Sequence, residues 1–361
     1  MAIENIKTDI EMFLDENNEY VKGAFSNTGI ESLEITNIKS NYRLHEILTN
    51  LVAKSWINTL KSFRITNSKI KKTGLQALVG VFPRLTQIRN LNLSCNELGD
   101  DEVQALVDHL PTQLHVLNLA YNKIGTDGAI VLADTLHRLP QLQTLNLNAN
   151  YIEDDGVEAL VDNLPAQLHI LDLGTNYIED DGAIALVDHL PTQLHILNLD
   201  NNYIRADGAI ALADALHRAP QLQTLNLSKN NIKATGAAAL AGVLHRLTQL
   251  QTLNLGDNNI GDDGTIALSR ALSNSTQLQT LNLNHNNIGD AGAIALAGAL
   301  SKSAQLKNLY LGCNDIGDAG AVALANDLPT QLHILTLFSN NIGEIGIKAL
   351  KQRTRIQLNI R

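Results

Sequence analysis

Histidine and aspartate are the side chains of this 361-residue chain whose number and spacing could support chemistry. Histidine is the commonest metal ligand, and carboxylates in pairs suit calcium or magnesium. Of the eleven histidines, four share one position ahead of Leu-rich segments: His115, His169, His195 and His333. The adjacent aspartates are Asp100/Asp101, Asp154/Asp155, Asp180/Asp181 and Asp262/Asp263.

Neither set of residues has the spacing of a catalytic or metal site. The chain contains no H-E-x-x-H, C-x-x-C, G-x-S-x-G, EF-hand or phosphate-loop motif. Copying of one segment explains the number of histidines. The aspartates precede predicted helices, where they are expected to cap the helix that follows them directly. We therefore expect no catalytic residue, no metal and no cofactor.

The spacing of these residues comes from a strand and a helix that residues 142–164 encode. Leu145 and Leu147 alternate with polar residues, which predicts a short strand with one apolar face. Val157 and Leu160 belong to a run at three- and four-residue spacing, which predicts a helix whose apolar side faces that strand. One such unit is too small to be stable alone, so it needs neighbours.

The same unit recurs at steps of 26 or 28 residues. Its anchor is an asparagine just after the strand: Asn96, Asn122, Asn150, Asn176, Asn202, Asn230, Asn258, Asn286, Asn314 and Asn340, with Ser68 in a weaker copy. Six residues after each anchor stands a glycine, except at Glu102. An Asn amide offers donors and an acceptor to backbone groups that leave the strand ladder. We predict a buried structural ladder of asparagines and no ligand site there.

The pattern L-x-x-L-x-L-x-x-N-x-I/L followed by a helix resembles the leucine-rich repeat family, and the repeat length is similar to that of its ribonuclease-inhibitor subclass. The resemblance covers about residues 30–361. It implies an α/β solenoid shaped as a horseshoe, with a parallel β-sheet on the concave face and helices on the convex face. Packing agrees, because parallel strands stack at ~4.8 Å whereas helix axes need about 8–10 Å.

The expected organisation is one elongated repeat domain with a cap at each end. Ile3, Ile6 and Ile10 stand at helical spacing in a segment that does not repeat. The predicted boundaries are an N-terminal helical cap at 1–29 and a leucine-rich repeat domain at 30–361, divided into a degenerate first repeat at 30–59, about eleven repeats at 60–350 and a C-terminal capping strand at 351–361.

Composition bounds the compartment and the class of partner. A net charge of −10 repels phosphate and argues against nucleic acid. Cys95 and Cys313 occupy equivalent positions of distant repeats, too far apart to bridge, which suits a reducing compartment. Acidic residues near the N-terminus argue against a secretory leader, and no apolar run reaches the ~20 residues of a membrane span. We expect a cytoplasmic monomer without a transmembrane segment.

Charge is unevenly distributed along the chain. Residues 47–96 hold eight basic residues and no acidic one, whereas residues 97–344 hold 28 acidic and 10 basic residues. Four of the basic residues belong to one predicted strand and its loop: Arg64, Lys69, Lys71 and Lys72. This basic patch is either a solvated face or a docking site for an acidic protein tail or, peripherally, an anionic membrane surface.

The inner wall of the expected sheet is the surface on which a partner protein would bind. Because consensus residues serve the stack, departures from consensus are the better guide to a binding site. The first departure comprises Tyr121, Tyr151, Tyr177 and Tyr203 with Arg205 and Asp200 nearby, and Asp172 replaces the asparagine between the two strand leucines. The second comprises Tyr310, Phe338, Cys313 and His285. Tyr and Arg dominate interface hot spots. The alternative for the tyrosines is a copied spacer that covers loops, whereas Phe338 is expected to be an exposed anchor.

These observations predict a non-enzymatic protein-binding module. Proteins that the chain resembles include inhibitors, ligand sensors and the leucine-rich repeat effectors of the Legionella type that intracellular bacteria deliver into host cells. As an effector, the chain would act in the host cytoplasm. The alternative is a GTPase-activating protein similar to the activator of Ran. That family usually ends in an acidic tail, whereas this chain ends KQRTRIQLNIR.

Overall fold

The computed structural model describes residues 20–26, 29–187, 189–273, 277–301, 303–352 and 357–360. The chain divides into two compact units, Met1–Asn176 and Tyr177–Arg361, and each is described by itself. Among the described residues, no helix combines the length and apolar composition that a membrane crossing requires.

The first unit alternates strands and helices in chain order. Its strands are β1 (Tyr20–Ser26), β2 (Gly29–Thr36), β3 (Ser62–Thr66), β4 (Asn90–Asn92), β5 (Val116–Asn118), β6 (Thr144–Asn146) and β7 (Ile170–Asp172). Its helices are α1 (Asn41–Val52), α2 (Lys72–Val81), α3 (Asp100–Val107), α4 (Thr126–Leu136) and α5 (Glu153–Val161). From β2 onward, neighbouring strands are parallel and pair in sequence order.

The second unit repeats the same arrangement. Its strands are β8 (Ile196–Asn198), β9 (Thr224–Asn226), β10 (Thr252–Asn254), β11 (Thr280–Asn282), β12 (Asn308–Tyr310), β13 (Ile334–Thr336) and β14 (Gln357–Asn359). Its helices are α6 (Asp180–Ala185), α7 (Ala206–Ala215), α8 (Lys233–Val243), α9 (Gly261–Leu272), α10 (Asp290–Leu300), α11 (Asp318–Asp327) and α12 (Glu344–Lys351). All of its strand pairs are parallel and in register, so that Leu225, Leu253 and Leu281 stand side by side.

Part of the predicted helical cap is a strand. Tyr20–Ser26 pair with β2 as an antiparallel hairpin, and Val21 is buried while Lys22 is exposed, so the local period is two. The prediction of a helix is wrong for these residues, because the first sheet edge offers unpaired backbone groups that an added strand can satisfy. The apolar residues on which the cap was predicted, Ile3, Ile6 and Ile10, lie outside the described residues.

Leucines of the strands and helices form the core of each unit, as predicted. Leu145 and Leu147 are fully buried, and Val157 and Leu160 of α5 are buried on the same side. Thr144 and Asn146 flank the buried leucine of β6 and are only half-buried. Each sheet therefore has one face against helices and one open face.

The asparagine ladder is confirmed, and it uses every polar atom of the amide. Nδ2 of Asn122 donates to the carbonyls of Leu119 (2.8 Å) and of Leu93 in the preceding repeat (3.1 Å). Its Oδ1 accepts the backbone N–H groups of Asn96 and Leu98, both at 3.0 Å. The contacts of Asn314 in the second unit are equivalent. Each amide thus joins two repeats.

The aspartates cap helices, but each caps the helix of the following repeat and not the helix in which it stands. Oδ1 of Asp290 accepts the N–H groups of Gly317 (2.8 Å) and Gly320 (2.7 Å) at the start of α11, and no side-chain cap bond forms within its own helix. Asp262 caps α10 in the same way through Gly289 and Gly292. The prediction that each aspartate caps the helix in which it stands is therefore wrong. Stacking of the repeats places the first turn of the helix in the following repeat against this carboxylate.

Where this cap forms, it accounts for the glycine six residues after the anchor, as at Gly292 and Gly320. A Cβ on Gly320 would lie 2.8 Å from Oδ1 of Asp290 and 2.9 Å from Cβ of Ala293. Such contacts are shorter than side chains tolerate, so the aspartate of one repeat and the glycine of the next form a coupled pair.

Candidate functional site

The consensus asparagine in the middle of the open face has a structural role. Oδ1 of Asn146 accepts the N–H of Asn148 (2.9 Å), and Oδ1 of Asn282 accepts the N–H of Asn284 (3.0 Å). These bonds fix the backbone where it leaves the strand, as Asx turns do. Agreement with the consensus here therefore carries no information about a ligand, and the departures remain the candidates.

The residue before each anchor adopts a left-handed backbone. Its φ lies between 52° and 63° at Asn67, Cys95, Tyr121, Ala149 and Thr175 of the first unit and at Asn201, Lys229, Asp257, His285, Cys313 and Ser339 of the second. None of these residues is glycine, although L-residues avoid this region at a cost of about 1–2 kcal/mol. Their side chains stand at the edge where strands pass into helices.

In the first unit, Tyr121 and Tyr151 are exposed at this edge. Tyr121 is 62% exposed and Tyr151 is 47% exposed. The N–H of Tyr121 donates to the carbonyl of Asn148 (2.7 Å) and that of Tyr151 to the carbonyl of Ile124 (2.8 Å). Backbone bonds to neighbouring repeats therefore fix both residues, and their rings are not part of the core.

In the second unit, Tyr177 and Tyr203 form an aromatic pair. Their ring centroids are 5.8 Å apart and the rings are tilted by 45°. Exposed fractions of 44% and 54% leave much of both rings accessible to a partner. The predicted row of Tyr151, Tyr177 and Tyr203 extends over both units and stays a prediction.

A groove of about 560 Å³ lies beside this pair, within the second unit. It is lined by Glu179, Asn201, Asn202, Tyr203, Arg205, Lys229, Asn230, Asn231 and Asp257. The anchors Asn202 and Asn230 are buried, whereas the charged residues are exposed. The lining is therefore polar, with one aromatic ring.

The charges around the groove are only partly paired. The guanidinium of Arg205 donates to Glu179, and its Nε lies 3.9 Å from Oδ2 of Asp180. Oδ1 of Asp180 also accepts the backbone N–H of Arg205 (2.8 Å). Within the described part of the chain, neither Lys229 nor Asp257 forms an ion pair. Arg205 is thus fixed in the wall, and Lys229 presents an unmatched charge.

The two acidic departures lie on the open faces, one in each unit. Asp172 is half-buried on β7, and its Oδ1 accepts the N–H of Gly174 (3.2 Å) and an amide hydrogen of Asn148 (3.3 Å). Asp200 is half-buried just after β8. Asp172 therefore replaces the consensus asparagine in its structural role.

The predicted C-terminal cluster is more buried than expected. The ring of Phe338 lies over Gly312, where a Cβ would be 2.6 Å from two ring carbons, so Phe338 is half-buried and the prediction of an exposed anchor is wrong. Tyr310 is half-buried in register with Thr336. His285 is exposed, and its N–H donates to the carbonyl of Gly312 (2.9 Å).

The predicted basic patch is partly neutralised, because two of its four residues have carboxylate partners. Arg64 lies 3.6 Å from Glu34 and Lys69 lies 3.1 Å from Glu97, while Nζ of Lys71 donates to the backbone carbonyl of Glu97 (3.4 Å). Lys72 is exposed. The sequence window that defined the patch ended one residue before Glu97. Docking of an acidic tail or a membrane there stays a prediction, which these counter-ions weaken.

Glu97 is the centre of an ion triplet across three repeats. Nζ of Lys123 lies 3.0 Å from Oε2, and Nζ of Lys69 lies 3.1 Å from Oε1. The hydrogen bonds from Lys123 and Lys69 lower the pKa of Glu97 from 4.5 to about 2. This carboxyl therefore stays charged in moderately acidic solution.

Metal chemistry has no support among the described residues. No group of three or more His, Cys, Asp or Glu side chains is placed to hold a metal ion there. Nδ1 of His115 instead lies 3.0 Å from the carbonyl of Gln113. Both cysteines are unbridged.

Sequence reasoning missed Lys229, Asp257, Glu179 and Asn231 of the groove. Lys229 and Asp257 occupy the position before the anchor, and Glu179 stands three residues after its own anchor. The residue type at these positions varies from repeat to repeat, and that variation is the sequence signal that could have identified them.

Comparisons with known proteins agree with this architecture. A family profile described as "Leucine Rich repeat" matches nine segments: 86–107, 111–133, 139–161, 167–187, 192–213, 220–241, 247–269, 274–297 and 302–325. A sequence search among curated proteins finds no match.

Three solved structures have a similar fold. A chain of the yeast Rad7–Elc1 complex has a TM-score of 0.56 at 16% identity, with 91% of this chain and 80% of that chain covered. An internalin, InlF, from Listeria monocytogenes has 0.52 at 19%, covering 89% and 94%. A chain from the octameric complex of latrophilin 3, Unc5D and the FLRT2 repeat domain has 0.51 at 18%, covering 84% of each chain. Identities this low establish similarity of fold alone.

Proposed function

Because the chain belongs to the leucine-rich repeat family, we propose that it is a protein-binding module whose partner contacts the open sheet face and the adjoining edge of loops. Repeat proteins offer such surfaces because each unit contributes one strand and one loop to a continuous wall. The proposal gives the chain no catalytic step.

The observation that carries this proposal is the exposed Tyr177–Tyr203 pair beside the groove. Two rings that the core does not need, each about half exposed, are costly to leave in water. Tyr and Arg are enriched where interfaces derive most of their affinity, and Arg205 stands at the same groove. A partner would cover the rings and align its polar groups with the groove.

Two of the structural neighbours support the class of function by analogy only. Rad7 was solved with Elc1, and the FLRT2 repeat domain with latrophilin 3 and Unc5D. Those assemblies are properties of those proteins. They are consistent with a protein partner here, because the same fold offers the same kind of face.

The test is capture of a partner with wild-type chain and with the Tyr177→Ala/Tyr203→Ala variant. Tyr42→Ala is the matched control, since Tyr42 is 77% exposed on α1 of the first unit. We expect a purified partner to bind the double variant at least about tenfold more weakly, since each truncated hot spot costs about 2 kcal/mol or more. The control should bind normally, and circular dichroism should show all three chains equally folded.

Equal affinity of wild type and double variant would remove the tyrosine pair from the contact surface. A large acceleration of GTP hydrolysis by any member of a panel of small GTPases would defeat the non-enzymatic proposal in favour of the GTPase-activator alternative. The finer proposal, that this is a bacterial effector with a host-cell partner, rests on the sequence resemblance. A translocation assay with a reporter fused to the chain tests it.

A further inference from the structure

The groove of the second unit has a charge pattern that selects its occupant. Its two cations, Arg205 and Lys229, come from successive repeats, and Glu179 and Asp257 stand in the repeats on either side. The middle of the groove is therefore its most positive part, and both ends are negative. An occupant with one negative charge at the middle would match this arrangement.

Lys229 is the cation of the groove that no described carboxylate pairs with. Its side chain is exposed, and its backbone N–H is already used by the carbonyl of Gly256 (2.7 Å). The ammonium group forms no ion pair within the described ranges, whereas Arg205 is matched by Glu179 and Asp180. Lys229 thus has a full charge to offer, and Arg205 retains guanidinium donors beyond those that its carboxylates use.

Neutral donors surround the same position. The amide of Asn231 and the hydroxyl-bearing ring of Tyr203 line the same groove as the two cations. Charge-assisted hydrogen bonds from such groups are the stronger class and favour a planar acceptor with two oxygens. A doubly charged phosphate is a poorer match, because Glu179, Asp180 and Asp257 would repel it.

We propose that this groove binds one carboxylate of a partner polypeptide between Lys229 and Arg205, with the Tyr177–Tyr203 pair contacting the adjoining residues. The proposal rests on the protein-binding function and adds the chemistry of the recognised group. The carboxylate comes either from an Asp or Glu side chain or from a free C-terminus. Both sources present the same two oxygens, and the experiment separates them.

The probes are short random peptides displayed against the immobilised chain, in one library as internal segments and in the other with a free C-terminus. We expect enriched peptides to share an acidic residue at one position, or to come from the second library only. Synthetic versions are then compared with matched peptides in which Glu becomes Gln, Asp becomes Asn, or the C-terminus is amidated. Removing the recognised carboxylate should weaken binding about tenfold or more.

The Lys229→Gln variant should lose that difference and bind both peptides weakly. Lys233→Gln is the matched control, because Lys233 is an exposed lysine of the same repeat that does not line the groove. It should retain the full preference for the carboxylate. Fluorescence anisotropy with labelled peptides measures all of these affinities.

Three results would overturn the proposal: no carboxylate-dependent binder from either library, enrichment of basic peptides, or an undiminished preference in Lys229→Gln. Failure of the carboxylate site can be distinguished from failure of the protein-binding function. If Lys229→Gln leaves a captured partner's affinity unchanged while Tyr177→Ala/Tyr203→Ala reduces it, the function stands and the carboxylate site is wrong.

Discussion

At the scale of single residues, the anchor asparagines show how one side chain can hold two repeats together. Asn286 is fully buried, its Nδ2 donates to the carbonyls of Leu255 (2.8 Å) and Asn284 (3.0 Å), and its Oδ1 accepts N–H groups of Asn258 and Ile260. The side-chain amide therefore extends the backbone hydrogen-bond network from one repeat to the next.

Replacing Asn286 with Ala should lower the free energy of unfolding by about 1–3 kcal/mol, because buried backbone groups lose their partners. The control is Asn341→Ala, whose side chain is exposed and which should change stability by less than about 0.5 kcal/mol. Urea unfolding followed by circular dichroism measures both variants. Equal midpoints for the two would show that the ladder contributes nothing.

Glu97 makes a pH-dependent contribution whose sign follows from its pKa. The folded pKa of about 2 lies below the ordinary value of 4.5, so the folded chain binds the proton more weakly than the unfolded chain. The stabilisation is present above about pH 4.5 and disappears as the pH falls toward 2. We expect Glu97→Gln to be less stable than wild type at neutral pH and equally stable near pH 2.

Urea unfolding at the two pH values checks this expectation. Glu158→Gln serves as control, since Glu158 is exposed on α5 and forms no ion pair with any described residue. High salt should shrink the difference at neutral pH, because the triplet with Lys69 and Lys123 is at the surface. A difference that is the same at both pH values would contradict the ion triplet.

At the scale of elements, several helices receive an N-terminal cap from the repeat before them, among them α10, α11 and α12. Asp290 belongs to α10 but caps α11, and Asp318 of α11 accepts the N–H of Gly346 in α12 (2.7 Å). Adjacent helices are thereby joined by charge-assisted bonds as well as by packing. Removal of one aspartate should weaken the helix that follows in sequence.

Asp290→Ala should cost about 0.5–2 kcal/mol, the usual worth of a cap. Amide hydrogen exchange should rise first at the start of α11 rather than in α10, which distinguishes this cap from an ordinary one. Asp315→Ala is the control, because Asp315 is exposed before α11 and its side chain bonds to none of the described residues. Faster exchange confined to α10 would contradict the assignment.

At the scale of the whole molecule, the features that recur in every repeat were predictable from the sequence, whereas the contacts between neighbouring repeats were not. Alternating leucines and the anchor Asn122 identify strands, core and ladder, since their positions are local and periodic. The bonds from Asp290 to Gly317 and from Lys69 to Glu97 connect residues 27 and 28 apart, so only the register of the stack reveals them. Strand β1 was missed because the open edge of β2, rather than local preference, decides its conformation.

The candidate site was predictable to a similar extent. The sequence position of Tyr177 and Tyr203, directly after an anchor, already indicated that their rings lie at the edge of the sheet and are exposed. Lys229 and Asp257 line one groove with Tyr203 only because successive repeats stack on one another. Phe338 was misjudged because burial depends on Gly312 in the neighbouring repeat.

The left-handed residue before each anchor has a consequence for how recognition can diversify. Asn, Cys, Tyr, Ala, Thr, Lys, Asp, His and Ser all occupy that position with nearly one φ, so the backbone there is dictated by the loop rather than by the side chain. The side chain at this position can therefore vary while the backbone conformation of the loop stays the same. Exchanging the side chain at Asn201, Lys229 or Asp257 should therefore change the lining of the groove without changing the backbone that carries it.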